Sequence, residues 1–219
     1  MATIGKGVIK LAKMLKDAAI LFVITLISGA ILGYVYDLTK GPIAEQEALA
    51  KAQAMQQVFA DAAGFELLFD TANEDTSVIV SEIDDSGTVI SADFADVNDV
   101  YIAQDSAGET LGYVITVTSH EGYGGDIKFS MGVRNDGTIN GLSLLSISET
   151  AGLGMKAGEV LVPQFAGKCV EHFTYTKTGS TSDSEIDAIS GATITTNAVT
   201  NAVNMGLSLF QQLSAEGGV

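Results

Sequence analysis

The sequence predicts an α+β fold, an antiparallel sheet packed with helices, carried on one N-terminal transmembrane helix. Three observations predict it. A 19-residue run at 18–36 is apolar and uncharged. The middle of the chain alternates short β-branched runs with turn residues. The last stretch carries apolar residues at helical spacing.

The first element is the apolar run, AAILFVITLISGAILGYVY. At 1.5 Å per residue it extends roughly 28 Å, against a bilayer core of about 30 Å. Tyr34 and Tyr36 fall where an interfacial aromatic belt belongs. A cleaved secretory signal has a shorter apolar core and a small-x-small site. This run is longer and ends in Gly-Tyr-Val-Tyr-Asp, so an uncleaved anchor is expected. Lys6, Lys10, Lys13 and Lys16 precede it, and the positive-inside rule then places residues 1–17 in the cytoplasm. Residues 1–40 hold five Lys and two Asp, whereas 41–219 hold six basic and 25 acidic side chains, a net of −19. The soluble part is therefore expected on the outer face, with its acidity serving solubility rather than a cation site.

The second element is a connecting helix over 37–64. Pro42 suits a first helical turn, and Leu49, Ala52, Met55, Val58 and Phe59 recur at three and four. The domain proper is expected over 65–219. Its predicted strands are Ser77–Ile83, Val100–Ala103, Thr110–Thr118, Phe129–Val133 and Thr138–Ile147. Asp105–Gly108 makes one turn, and Asp136-Gly137 makes a tight hairpin because glycine takes positive φ at little cost. A final helix runs over Thr193–Leu213, with Val199, Val203, Leu207, Phe210 and Leu213 as its apolar stripe. Glu216–Val219 reads as a frayed tail.

Composition excludes several classes. The chain of 219 residues carries a net charge of −16. That field repels phosphate backbones, so no nucleic-acid partner is expected. The single cysteine, Cys169, excludes an intrachain disulfide, a Cys-rich zinc site and a cluster held by this chain's cysteines alone. Cys169 itself is expected as a small apolar core residue. His120 and His172 have no ligand-like spacing, so no metal site is expected.

The segment that carries chemistry is Asp187-Ala188-Ile189-Ser190-Gly191-Ala192-Thr193. It delivers a hydroxyl to the start of the last helix, where several N–H groups lack intrahelical partners and the dipole favours an anion. The site suits a phosphate. Plain helix capping by Ser or Thr explains the same spacing, and on spacing alone capping is favoured.

The segment resembles the flavinylation motif D-x-x-S/T-G-A-T of the FMN-binding domain family. Gly122-Tyr123-Gly124-Gly125 resembles a second segment of that family. Ser148-Glu149-Thr150-Ala151-Gly152-Leu153-Gly154 resembles a third, S-E-T-P-G-L-G, with Ala151 in place of proline, a change expected to loosen the loop. The three segments in order, the final helix and the N-terminal span together resemble the G-subunit family of Rnf ion-translocating electron-transport complexes. The related C-subunit family of the sodium-pumping NADH:quinone oxidoreductases is similar too.

The resemblance implies FMN held covalently, by a phosphodiester to Thr193, after transfer from FAD by a separate flavin transferase. Ser190, Gly191 and Ala192 complete the motif. It implies that Asp187 positions the acceptor or a metal during that transfer, although an Asx-turn explains Asp187 equally well. Thr195 and Thr196 are rival acceptors outside the motif. For the flavin ring it implies contacts from Tyr123, Gly124, Gly125, Glu149, Thr150, Leu153 and Gly154. A glycine loop and a polar loop end are the plain readings of those two segments. Lys156 and Lys168 are candidates to pair with the phosphate, or are simply solvated.

The function implied is that of a membrane-anchored flavoprotein subunit in an ion-translocating (Na+ or H+) ferredoxin:NAD oxidoreductase complex. This chain has neither a nucleotide-binding fingerprint nor a set of cluster ligands, so it is expected to relay electrons without catalytic residues of its own. Its implied partners are membrane and cluster-binding subunits. Two alternatives stay open: a stand-alone flavinylated extracellular carrier, and an anchored binding module without flavin.

Overall fold

The structure, a computed structural model, describes residues 2–71 and 91–215. The expected strand at Ser77–Ile83 and the tail Glu216–Val219 lie outside the described residues.

One continuous helix, α1 (Ala2–Val58), replaces the expected span and separate connecting helix. Pro42 lies inside it rather than opening a new one. Proline removes one i→i−4 hydrogen bond, and the good helix formers that follow it, Ala44 to Ala48, carry the helix onward. The chain divides between Leu49 and Ala50 into two units.

In the first unit, the apolar side chains of the expected span are uncovered: Phe22, Leu26, Ile31 and Leu32 are all exposed. Among the described residues this is one helix long and apolar enough to cross a membrane. Two threonine hydroxyls of this helix bond back to its own carbonyls, the arrangement that hydrocarbon would favour. Thr25 Oγ1 donates to Leu21 O at 3.1 Å and Thr39 Oγ1 to Val35 O at 2.9 Å.

The second unit is built on an antiparallel sheet. Its strands are β1 (Gly64–Asp70), β2 (Ser91–Ala92), β3 (Ala95–Gln104), β4 (Thr110–Ser119), β5 (Ile127–Arg134) and β6 (Ile139–Ile147). The order is β1-β3-β4-β5-β6, with β2 also beside β3. The predicted strands from Val100 onward are all present, and β3 begins earlier, at Ala95. Strand β1 occupies residues for which the sequence predicts no strand. The predicted helix overruns its true end, because α1 stops at Val58 and Ala63 N–H already donates to Gln104 O at 2.8 Å. The β5–β6 hairpin turns at Asp136-Gly137, with Gly137 at φ +83° and its N–H on Arg134 O. Asp136 accepts from Thr138 N–H at 2.9 Å, a bond that lowers its pKa.

A helix is laid along each face of the sheet. The C-terminal helix, α4 (Thr193–Ala215), sends Ala198, Val199, Ala202 and Val203 into the main core with Ile115, Val117, Phe129 and Met131. The opposite face receives the end of α1, where Met55, Val58 and Phe59 meet Ala103 and Val114. Phe59 is fully buried. It lies so close to β5 that a Cβ on Gly132 would come within 2.9 Å of its ring. Polar side chains register the helix end on the strands. Ser143 Oγ meets Gln57 Oε1 at 2.6 Å, Asn140 Nδ2 donates to Val58 O, and Lys51 Nζ meets Asp99 Oδ2 at 2.8 Å. Partial burial works against the Lys51 charge, but Asp99 and Tyr101 outweigh it and its pKa is raised.

Two short helices, α2 (Ala157–Val160) and α3 (Val162–Phe165), follow a 3₁₀ turn at Gly154–Lys156. A two-stranded parallel ribbon, β7 (Thr174–Thr176) with β8 (Glu185–Asp187), then leads into the turn before α4.

Candidate functional site

Three loops meet at the N-terminus of α4. The first is 120–126, between β4 and β5. The second follows β6 at 148–154. The third, 188–192, joins β8 to α4. They surround a cleft of about 500 Å³, lined by Tyr123, then by Glu149, Thr150, Leu153 and Gly154, and then by 191–195. Small-molecule pockets occupy roughly 300–1,000 Å³.

Two turns of the same design form its walls. In Thr150–Leu153, Leu153 N–H closes on Thr150 O at 3.1 Å with Gly152 at φ +78°. In Ile189–Ala192, Ala192 N–H closes on Ile189 O at 3.0 Å with Gly191 at φ +79°. Positive φ at the third position of a turn, as in type II, selects glycine. The turns touch, since a Cβ on Gly191 would lie 3.1 Å from Leu153 Cδ2. The glycine loop packs as closely, with Gly124 so placed that a Cβ would fall 1.9 Å from Ser148 O.

Ala151 occupies the second position of its turn, where proline is favoured. The loop is closed without proline, by Thr150 O accepting from both Leu153 and Met155 N–H. Ala151→Pro is therefore expected to stabilise the domain by about 0.4–1 kcal/mol through the unfolded state. A urea midpoint equal to or below that of the unaltered protein would refute this.

Ala192 precedes the first residue of α4, so the cap position has no side chain able to accept a hydrogen bond. Among the described residues, no acceptor meets the N–H groups of Thr193, Ile194 and Thr195, while Thr196 N–H returns to Ala192 O at 3.0 Å. The capping role open to Ser190 or Thr193 is thus not taken up. The motif leaves donors facing the cleft.

The three hydroxyls of the segment differ sharply. Thr195 is 1 % exposed and donates to Glu149 Oε2 at 3.0 Å. Thr196 is fully buried, donates to Ala192 O and accepts from Ile189 N–H. Thr193 is half-buried at the cleft wall, and its hydroxyl has no partner among the described residues.

The other expected residues are placed as follows. Gly124, Gly125, Ser190 and Asp187 do not line the cleft. Asp187 accepts from Ser180 N–H at 2.6 Å, and Ile189 N–H, the donor that an Asx-turn before Ser190 would use, goes instead to Thr196 Oγ1 at 3.1 Å. Its backbone is gripped by Gln164, which accepts Asp187 N–H at 2.7 Å and donates to Asp187 O at 3.1 Å. Nothing in the spacing points to Gln164, which lies 23 positions away. Ile194 and Thr195 join the cleft although the motif ends at Thr193, because the first turn of α4 continues along its wall. Lys156 does not line the cleft, and Lys168 is turned away, donating to Glu185 O at 3.0 Å. Cys169 is exposed, with its thiol on Asp136 O, rather than in the core. The loop that carries it covers the hairpin end and leaves its side chain at the surface.

Glu149 is the one charged residue among those lining the cleft. The walls present Tyr123, Leu153 and Ile194 as exposed apolar surface, and the α4 N–H groups as donors. The cleft therefore offers apolar surface beside unpaired amide donors, which suits an apolar group joined to a phosphate, with neutralisation by helix amides rather than by lysine or arginine.

His120 sits at the base of the glycine loop, with Nε2 2.9 Å from Asp96 Oδ2 and Nδ1 3.0 Å from Asp126 Oδ1. Asp96 first, then Asp126, raises its pKa above the usual imidazole value. The folded state favours the charged form, so the stabilisation is full below about 6.5 and is lost as pH rises through the raised value. The stability difference between the unaltered protein and His120→Gln should accordingly shrink from pH 6 to pH 9 in urea titrations. A difference that is constant with pH would refute the charged clasp.

Comparison with known proteins gives two family matches. A family model described as the FMN-binding domain matches residues 122–208, which contain every residue lining the cleft, and one described as the RnfG N-terminal region matches 3–58. The chain is 35 % identical over 201 residues to the G subunit of the Na(+)-translocating ferredoxin:NAD(+) oxidoreductase complex of Acetobacterium woodii, covering 91 % of this chain and 92 % of that one. It is 32 % identical over 196 residues to the G subunit of the proton-translocating ferredoxin:NAD(+) oxidoreductase complex of Clostridium ljungdahlii, covering 86 % and 90 %. Among solved structures, NqrC of Shewanella oneidensis is 22 % identical with a TM-score of 0.47, covering 73 % of this chain and 88 % of that one.

Proposed function

The chain belongs to the G-subunit family of ion-translocating oxidoreductase complexes, and from that premise we propose that it is a membrane-anchored flavoprotein subunit that relays electrons through FMN esterified to Thr193. The observation that carries the reading is the Thr193 hydroxyl, unpartnered among the described residues at the cleft wall, beside the uncapped N–H groups of α4.

The residues present fit the cofactor. The amides of 193–195 would hold the phosphate, and Leu153, Ile194 and Tyr123 offer apolar surface to the ring. In the attachment, Thr193 would supply the oxygen that bonds to the flavin-side phosphorus of FAD, with the pyrophosphate linkage broken, AMP as the leaving group and the hydroxyl proton lost. Bound FMN supplies one- and two-electron redox chemistry. The diester carries one negative charge rather than the two of free FMN phosphate, which suits a cleft with no basic side chain in its lining. Asp187, exposed on a strand end gripped by Gln164, is the residue offered to the separate FAD-dependent transferase.

On this reading residues 1–17 lie in the cytoplasm and the flavin domain outside, as the positive-inside rule expects from the four lysines that precede the span. The partners are the membrane and cluster-binding subunits of the complex. Translocation is a property of that assembly, and the two relatives' names carry sodium in one case and protons in the other.

The test is to denature protein isolated from a host with an active flavin transferase, run it on a gel and view it under ultraviolet light. A fluorescent band, with an intact mass exceeding the chain by one FMN less water, is the expected result. A dark band would overturn the reading.

A further inference from the structure

The family resemblance assigns Glu149 to the flavin ring, yet both of its oxygens are engaged with the protein. Oε1 accepts from Gly124 N–H at 3.3 Å, and Oε2 accepts from the Thr195 hydroxyl at 3.0 Å. The two donors belong to the glycine loop and to the first turn of α4, and Glu149 itself belongs to the loop after β6. One side chain thus joins the three segments that surround the cleft. The surroundings are shaped to admit it, because a Cβ on Gly154 would lie 2.7 Å from Oε2 and 2.5 Å from Thr195 Oγ1, and one on Gly122 would lie 2.9 Å from Oε1.

We propose that Glu149 is a positioning residue, a carboxylate clasp that locks the glycine loop to the start of α4 and so sets the width of the cleft in which Thr193 is presented. The inference deepens the flavin reading and rests on it for its purpose. The clasp itself is a property of the chain alone. A carboxylate suits the position because it accepts on both oxygens and charge-assisted bonds are the stronger ones. Glutamine also fits, since its carbonyl accepts from Gly124 while its amide donates to Thr195, whose hydroxyl works in either direction. Alanine fits neither partner.

The test uses the full chain in detergent, carrying Thr193→Val so that no flavin is attached, and follows exchange of the Gly124 amide. In Glu149→Ala and in Thr195→Val, exchange should accelerate roughly tenfold, the scale of one lost charge-assisted hydrogen bond. Combining the two should add nothing further, because they break one clasp. Thr195→Ser should exchange as the parent does, and Glu149→Gln, which keeps the bonds and loses the charge, should fall between the parent and Glu149→Ala. On the flavinylated chain, Glu149→Ala should lower the fluorescence anisotropy of the tethered flavin and Glu149→Gln should not. The clasp is overturned by Gly124 exchange unchanged in Thr195→Val, by glutamine behaving as alanine does, or by additive effects in the double variant. Should Glu149→Ala fail to fold, the Thr195→Val and Thr195→Ser pair decides the matter. A dark band in the gel assay would end the flavin reading and leave the exchange result standing.

Discussion

Thr193→Val is expected to remove covalent flavin completely while leaving the fold in place. Valine keeps the β-branched shape and loses only the hydroxyl. That hydroxyl makes no hydrogen bond among the described residues, so its loss leaves no orphaned partner. A half-buried site without such a partner changes stability by about 0.5 kcal/mol or less. Neighbouring threonines cannot take its place without unpacking, since Thr195 and Thr196 are buried and their protons are already given to Glu149 and Ala192 O. The measurement is in-gel fluorescence with intact mass, alongside a urea curve. A variant that still carries the label would move the attachment to another hydroxyl and refute the assignment of Thr193.

Phe59→Ala is expected to destabilise the domain by about 3–5 kcal/mol, the usual range for deleting a buried aromatic ring. The ring is fully buried, packed over Gly132, with the Arg134 guanidinium 5.7 Å from its centre. Its loss opens a cavity that the glycine below cannot fill. It also frees the end of α1 from the sheet. For a domain of this size the melting temperature should fall by roughly 10 °C. Scanning calorimetry of the detergent-solubilised chain measures it, and a shift of about 2 °C or less would show that the helix end is not part of the folded core. Gly132→Val tests the same contact from below, by overpacking.

Much of the fold is legible in the sequence because its signals are local. The hairpin at Asp136-Gly137 follows from glycine's access to positive φ. The α4 stripe follows from a spacing that only a helix turns to one side. The apolar run needs no partner to be recognised. Errors arise where local signals compete or are weak. Pro42 reads as a helix start, yet one missing N–H is a small defect in a helix of 57 residues. Strand β1 lacks alternation, and the helical pattern before it masks its beginning. The β7–β8 ribbon and Gln164's grip on Asp187 depend on residues far apart in the chain, so no periodicity could announce them.

At the candidate site, the sequence by itself determined which segments matter: 122–125, 148–154 and 187–193 carry their glycines, hydroxyls and acid in family order, and the matched FMN-binding region contains all three. Tertiary structure alone decided what each side chain does there. It buried Thr195 and Thr196, left Thr193 without a partner among the described residues, put alanine at the cap of α4 and turned Glu149 inward to two donors from other loops. The physical reason is range. Backbone conformation and amphipathic spacing are written within a few residues, whereas burial and hydrogen-bond partnership exist only once distant segments have been brought within about 3 Å of one another.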